Sequence, residues 1–196
     1  MNSIRKIERI LLAAALAALL ASGSLPAAEI DWDRIGDETV RLFTEYLSID
    51  TTNPPGDVSE AAEFYHRLFQ AAGVESELLW TDRATGRVNV LARIRGSGSR
   101  RPLMLLNHMD TVPIDPKGWS VDAFQGIRQD GYIYGRGALD MKNYGIVQLM
   151  TMVLLARHGA DLERDVVFVA VADEETSGTL GAGWIAENKW DEINAE

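Results

Sequence analysis

The sequence contains no cysteine, and histidine occurs only 3 times in 196 residues. The absence of cysteine excludes disulfide bonds, thiolate zinc sites and a cysteine nucleophile. Any metal ion bound by this chain must therefore be held by histidine, aspartate and glutamate side chains. The sequence also lacks a Gly-x-Ser-x-Gly motif and a phosphate-binding P-loop, so neither a serine hydrolase nor a nucleotide hydrolase is supported.

Positive charge is scarce as well. Lysine and arginine together number 19 against 29 aspartates and glutamates, which gives a formal net charge of −10. A chain this acidic is not expected to bind nucleic acid or an anionic membrane surface. The hydrophobic fraction of 46% and the charged fraction of 24% are typical of a globular protein, and the length suffices for one domain with a sizeable core.

The N-terminus has the layout of a secretory signal peptide, which we assign to residues 1–28. Three basic residues precede an uninterrupted apolar run over residues 10–21, and small residues follow it. We expect cleavage between residues 23 and 28 and a secreted or periplasmic protein. The alternative is an uncleaved N-terminal membrane anchor, although the apolar run is short for a membrane span.

Beyond this segment, helical and strand patterns alternate along the chain. Helices are predicted over Asp37–Ser48, Ser59–Ala72, Asp140–His158 and Gly181–Lys189, and strands over Val74–Trp80, Val88–Ile94, Leu103–His108, Tyr132–Tyr134 and Val166–Ala172. The last strand is apolar at every position, which suits a strand buried on both faces. The pattern predicts an α/β fold in which a mixed sheet lies between helices.

A histidine and an aspartate follow the third predicted strand. Residues two apart on a strand share a face, so the side chains of His108 and Asp110 are expected to be neighbours. One interpretation is a hydrogen-bonded pair that caps a strand end. The other is a metal ligand and the carboxylate that orients it.

Further carboxylates stand at the ends of other elements. Asp140 follows a glycine-rich turn and opens the long helix, and Glu174 and Glu175 follow the buried strand. Each has an ordinary explanation by itself, as a helix cap or a solvated pair. Ligands of open α/β sheets bind beyond the carboxyl ends of the strands, so together with His108 these residues favour a metal site.

The chemistry of this set narrows the choice of metal. One imidazole with several carboxylates is too hard a ligand set for copper(I), but it suits zinc, manganese or cobalt. Crowded carboxylates raise one another's pKa, and a divalent cation removes that cost. If the strand conformation continues past the buried strand, Glu174 and Glu175 point to opposite sides, so that one could bind metal and the other move a proton.

Three ordered segments resemble the signatures of the M20 metallopeptidases, the group of aminoacylases, carboxypeptidases and dipeptidases. They are HMDTVP at residues 108–113, GWSVDAFQGIRQDGYIYGRGALDMK at residues 118–142 and DEETSGTLGAGW at residues 173–184. The likeness extends from about residue 37 to the end of the sequence and includes the loop TNPPG. Ala123 and Asn143 depart from the proline and glycine usual in the family, at positions that bear no ligand.

The resemblance implies a role for each candidate residue. His108 corresponds to a ligand of one zinc ion, and Asp110 to the carboxylate that holds this histidine. Asp140 corresponds to the carboxylate that bridges two metal ions. Glu174 corresponds to the general base, and Glu175 to a ligand of the other zinc ion. The resemblance also implies a cis peptide bond directly after Asp140.

The resemblance further implies a zinc-dependent hydrolase with two metal ions, Co²⁺ or Mn²⁺ being possible substitutes. The expected reaction is cleavage of an amide bond next to a free carboxylate, in a small peptide or an N-acyl amino acid. Residues 29–196 would then be the N-terminal portion of the catalytic domain. A further acidic ligand, a distal histidine ligand and a lid domain that often mediates dimerisation would lie beyond Glu196. The alternative is a catalytically incomplete fragment that binds metal weakly or needs its missing C-terminal part.

A dinucleotide-binding turn is a third interpretation, because GRGALD at residues 135–140 precedes a helix. The fingerprint requires glycine or alanine at its sixth position, where Asp140 stands. A carboxylate at that helix N-terminus would repel a pyrophosphate, so this interpretation is disfavoured.

Overall fold

The structure, a computed structural model, describes residues 29–196; the predicted signal peptide or anchor at residues 1–28 lies outside the described residues. The strands are β1 (Glu75–Asp82), β2 (Arg87–Ile94), β3 (Leu103–His108), β4 (Ile127–Gln129), β5 (Tyr132–Tyr134) and β6 (Val166–Val171). The helices are α1 (Trp32–Leu47), α2 (Ser59–Ala71), α3 (Lys142–Arg157), α4 (Trp184–Asn188) and α5 (Trp190–Ile193). The predicted order of helices and strands along the chain is confirmed, with β4 and α5 in addition.

Four of the strands form a mixed sheet in the order β1-β2-β6-β3. β6 runs antiparallel to β2 and parallel to β3. All six residues of β6 are buried, as its uniformly apolar sequence predicts. The mixed α/β architecture expected from the sequence is confirmed.

The sheet has helices on both faces, and each face has its own apolar core. One core joins alternate residues of β2 and β6 to the buried faces of α1, α2 and α3, including Tyr46, Tyr65 and Phe168. The other joins the opposite residues of the same strands to Ile185 of α4 and Ile193 of α5. The period-two alternation of side chains divides these residues between the two layers.

The parallel pairing of β3 with β6 determines where the candidate residues lie. His108, the last residue of β3, pairs with Val171, the last residue of β6. The segments that follow both strands therefore emerge at the same edge of the sheet. This confirms the prediction that two of the polar clusters share the carboxyl edge.

Local differences from the predicted elements are small. β4, which pairs with β5 in a separate hairpin, has only three residues, two of them exposed, and carries no periodic signal. The predicted last helix, Gly181–Lys189, is replaced by a kinked turn over Thr179–Gly183 and the short α4, and α5 follows beyond the predicted range. Within residues 29–196, no helix combines the length and the hydrophobicity needed to cross a membrane.

Candidate metal centre

His108 lies at the end of β3 with only 6% of its surface exposed. Its Nδ1 is 2.9 Å from the backbone oxygen of Asp110 and 3.5 Å from Asp110 Oδ1, so this nitrogen donates to Asp110. The other ring nitrogen, Nε2, lies 3.1 Å from Asp140 Oδ1 and 3.8 Å from Glu174 Oε2. The ring thus directs Nε2 towards the carboxylates of the candidate site.

Asp110 is fully buried and connects three parts of the chain. Its Oδ1 accepts a hydrogen bond from the backbone N–H of Glu174 at 3.1 Å. Its Oδ2 accepts from the backbone N–H of Glu175 at 3.0 Å and from Asn53 Nδ2 at 2.8 Å. Burial acts to raise the pKa of Asp110, but the hydrogen bonds from His108, Asn53 and the two backbone N–H groups hold it below its usual value.

Glu174 and Glu175 lie in a turn rather than in an extended segment. β6 ends at Val171, and Asp173 adopts a positive φ of 70°, which reverses the chain. The expectation that the two glutamates point to opposite sides is therefore wrong, because it required the strand to continue. One nitrogen of His108 and one carboxylate oxygen from each glutamate lie within 4.8 Å of one another.

Asp140 reaches the same place from the start of α3. Its Oδ1 is 3.1 Å from His108 Nε2, and 77% of its side chain is exposed. The peptide bond between Asp140 and Met141 is cis, as the family resemblance predicts. The structure therefore brings together all five residues singled out in the sequence, while the role of each stays a prediction.

Charge in this cluster is unevenly balanced. Burial lowers the pKa of His108, but the hydrogen bonds that its ring donates to Asp110 and Asp140 outweigh burial and raise that pKa to about 9. Burial and the neighbouring Asp140, Asp110 and Glu174 carboxylates raise the pKa of Glu175, against the opposing effect of His108. Both shifts favour the protonated forms of His108 and Glu175, and a bound cation would take the place of these protons. One imidazole nitrogen with converging carboxylate oxygens fits a divalent zinc, cobalt or manganese ion.

Three further buried residues support the site, and the sequence reasoning assigned a role to none of them. Asn53 bonds to Asp110, and Asp173 accepts hydrogen bonds from the hydroxyl groups of the turn that carries the two glutamates. Lys142 Nζ donates to the backbone oxygens of Tyr46 and Ile49, at 3.2 and 2.6 Å, and so ties the start of α3 to the end of α1. No periodicity marks these residues; only the family likeness of their segments singles them out.

Comparison with known proteins agrees with this arrangement. Residues 104–196 match the sequence model of peptidase family M20/M25/M40. Over 129 residues, 64% of this chain, the sequence is 37% identical to N-fatty-acyl-amino acid synthase/hydrolase PM20D1 of Bos taurus. Over 145 residues, 73% of this chain, it is 34% identical to aminoacylase-1 of Sus scrofa.

Solved structures share the fold at lower sequence identity. Human carnosine dipeptidase 1 superposes with a TM-score of 0.69 at 21% identity, over 84% of this chain and 38% of that one. The YXEP protein of Bacillus subtilis, described as a dinuclear metal-binding peptidase of the M20 family, superposes with a TM-score of 0.57 at 17% identity, over 79% of this chain and 40% of that one.

The chain spans 25% of the length of PM20D1 and 35% of the length of aminoacylase-1. Sequence identity, the three ordered motifs and the shared fold all agree over the part that is matched. The chain belongs to the M20/M25/M40 family of peptidases.

Proposed function

We propose that this chain carries part of the active site of a metal-dependent hydrolase that cleaves an amide bond next to a free carboxylate. The observation that carries the proposal is the convergence of His108, Glu174 and Glu175 within 4.8 Å, with Asp140 Oδ1 beside His108 Nε2. Buried and exposed polar groups meet here at the carboxyl edge of a parallel strand pair, where ligands of α/β proteins bind.

The residues proposed to hold metal are His108, Asp140 and Glu175. Their donor atoms are the hard nitrogen and oxygen ligands that zinc accepts, with Co²⁺ or Mn²⁺ as substitutes. Two zinc ions held by these residues would supply an activated water and would polarise the scissile carbonyl. Metal dependence is general to the matched family of peptidases; zinc itself and the number of ions belong to the proposal.

The proton transfers are proposed for Glu174. Its carboxylate is 55% exposed and 3.8 Å from His108 Nε2, so it borders the site without being fixed in the interior. In this position it accepts the proton of the attacking water and later donates it to the leaving amine nitrogen. Asp110 makes no contact with substrate in this scheme; it holds the imidazole ring of His108.

The substrate class follows from the relatives. An N-fatty-acyl-amino acid synthase/hydrolase, an aminoacylase and a carnosine dipeptidase are named for small amide or peptide compounds. We therefore propose an N-acyl amino acid or a small peptide as substrate, and a homodimer as the assembly of the protein. A secreted or periplasmic location follows from residues 1–28; N-terminal sequencing of exported protein should find a mature chain that begins shortly after residues 23–28.

A second candidate is a catalytically incomplete fragment that binds metal weakly or requires further chain. It is favoured by one observation: His108, Asp140 and Glu175 are three proposed ligands, the number that one catalytic zinc ion alone usually takes. If the site holds two metal ions, the three proposed protein ligands are too few to complete it. The two candidates differ in whether residues 29–196 alone turn over substrate.

The test uses the protein expressed from its complete reading frame and its Glu174→Gln variant. Zinc content and hydrolysis of a panel of N-acyl amino acids and dipeptides are measured for both. We expect the variant to keep its zinc and to lose about 100-fold or more in kcat, because only the proton carrier is removed. Activity within tenfold of the wild type would contradict the role of Glu174. The same assay on residues 29–196 decides between the two candidates.

A further inference from the structure

We infer that Asn53 is a positioning residue of the candidate metal centre, which fixes Asp110 and, through it, the turn that presents Glu174 and Glu175. Asn53 lies in the loop TTNPPG at residues 51–56, far in sequence from the three motifs. The inference rests on the proposed function, because it assigns Asn53 a task in that same site.

The amide nitrogen of Asn53 donates hydrogen bonds to two residues of the site. Nδ2 donates to Asp110 Oδ2 at 2.8 Å and to Thr176 Oγ1 at 3.2 Å. The same Oδ2 accepts the backbone N–H of Glu175. Asn53 is only 2% exposed, so water cannot readily replace a donor that is removed. Its side chain therefore connects the orienting carboxylate directly to the glutamate turn.

The amide oxygen of Asn53 fixes the orientation of the group. Oδ1 accepts from Arg87 Nη2 at 3.3 Å, and Nη2 is also 3.8 Å from Asp173 Oδ1. If the amide were flipped, its oxygen would face the Asp110 carboxylate and its nitrogen would face the guanidinium, and both contacts would be repulsive. The network therefore leaves Nδ2 one orientation, towards Asp110.

The backbone of the loop is fastened beside β3. Asn53 N donates to Thr111 O at 2.8 Å, and Thr111 N donates to Thr51 O at 3.1 Å. The loop also leaves space for the two side chains at Gly56, where an added Cβ would lie 2.6 Å from both Arg87 Nη2 and Asn53 Oδ1. Asn53 is thus held at both its backbone and its side chain before any ligand binds, as a positioning residue must be.

An asparagine meets these requirements and its nearest substitutes do not. Alanine removes the donor and leaves a lone pair of the buried Asp110 carboxylate without its partner. Aspartate keeps the size and the contact with Arg87, but it has no donor and sets a second carboxylate 2.8 Å from Asp110. Because small displacements of reacting groups cost large factors in rate, both changes should act on the site itself.

The experiment compares Asn53→Ala and Asn53→Asp with Asn107→Ala in the protein from the complete reading frame. Asn107 is also 2% exposed, but its Nδ2 donates to Gln148 Oε1 at 2.8 Å on α3, so it reports the cost of losing a buried amide elsewhere. Each protein is titrated with Co²⁺ and followed by its visible absorption spectrum. Its melting temperature, and kcat and KM on the best substrate, are measured alongside.

We expect both Asn53 variants to bind Co²⁺ about 10- to 100-fold more weakly, with an altered visible spectrum and a reduced kcat at similar KM. Asn107→Ala should lower the melting temperature by as much as Asn53→Ala while leaving Co²⁺ affinity within about twofold. The inference would be overturned if Asn53→Asp kept the wild-type Co²⁺ affinity and spectrum. It would also be overturned if Asn107→Ala lost as much Co²⁺ affinity as Asn53→Ala. A wild-type protein that binds no Co²⁺ would instead overturn the proposed function, and the inference with it.

Discussion

The candidate site has two halves, which differ in how far their carboxylates are exposed and in how many hydrogen bonds they accept from the protein. In the inner half, Asn53, Asp110 and Asp173, the Asp110 side chain is 0% exposed and the Asp173 side chain 6% exposed. In the outer half, Asp140, Glu174 and Glu175, the side chains of Asp140 and Glu174 are 77% and 55% exposed. The inner half is bonded to the protein on every side, whereas the outer half faces His108 and solvent.

The difference separates the residues that stabilise the site from those that are available to bind metal and transfer protons. A buried carboxylate is tolerated only when protein donors replace the water that it has lost, so the inner half must be complete before any ligand arrives. Exposed carboxylates need no such partners and remain available to a cation. Changes in the inner half should therefore reduce both stability and metal affinity, while changes in the outer half should reduce only metal affinity or turnover.

The largest effect is expected from Asp110→Ala. The donors Asn53 Nδ2 and the backbone N–H groups of Glu174 and Glu175 would lose their acceptor in the interior. We expect the free energy of unfolding to fall by about 3 kcal/mol and Co²⁺ affinity to fall about 10- to 100-fold. Urea denaturation and metal titration measure the two effects.

Glu175→Ala is the matched change in the outer half. It removes a proposed ligand but keeps the backbone N–H that donates to Asp110. Metal affinity should fall while the free energy of unfolding stays within about 0.5 kcal/mol of the wild type. The distinction between the halves fails if Glu175→Ala destabilises the fold as much as Asp110→Ala.

The next largest effect on stability is expected at Gly181, which packs against the backbone that leads into Asp173. An added Cβ at Gly181 would lie 1.7 Å from the backbone oxygen of Ala172, directly before Asp173. Gly181→Ala should therefore lower the free energy of unfolding by about 2 kcal/mol, as overpacking does. Gly36→Ala is the control, because its Cβ meets nothing within 4 Å inside α1, and it should raise stability by about 0.5 kcal/mol. Equal melting temperatures of the two variants would contradict this packing.

The pH dependence of metal binding tests the outer half. Metal binding must displace the proton of His108, whose pKa is about 9 without metal. Because folded protein retains that proton below about pH 9, each pH unit from 7 to 8.5 should raise Co²⁺ affinity about tenfold. Chelator-buffered titrations give the slope. His158→Gln, which alters an exposed histidine at the end of α3, should leave it unchanged. A slope of zero would rule out His108 as a ligand.

The smallest effect is expected for the stability of Glu174→Gln. Its side chain is exposed, and the hydrogen bond from its backbone N–H to Asp110 is retained. The free energy of unfolding should change by less than about 0.5 kcal/mol, although turnover is lost. A loss above about 1 kcal/mol in urea denaturation would place Glu174 with the inner half.

The sequence predicts the outer half and Asp110, but it does not reveal the roles of Asn53 and Asp173 in the inner half. β3 has the predicted bounds, and its parallel pairing with β6 brings the ends of the two strands together. The unbroken apolar run of β6 predicts a strand buried on both faces, which the structure confirms. Glu174 and Glu175 follow the end of β6, and Asp140 precedes the start of α3, so the sequence pattern identifies all three. The positive φ of Asp173 is not visible, which is why the two glutamates were expected to diverge.

The inner half depends on contacts between distant parts of the chain. Asn53 and Asp110 are 57 residues apart, and Asn53 and Thr176 are 123 apart. No local pattern records such pairs, since a side chain in a proline-rich loop can bond to many partners. The hairpin β4–β5 was also half missed, because three-residue strands lack a measurable period.

The most direct test of the central claim is anomalous diffraction at the zinc edge from crystals grown with zinc. We expect a peak about 2.0 to 2.1 Å from His108 Nε2, with a carboxylate oxygen of Asp140 or Glu175 at a similar distance. A peak at any other group of side chains, with His108 Nε2 bonded only to carboxylates, would contradict the assignment of this cluster as the metal centre.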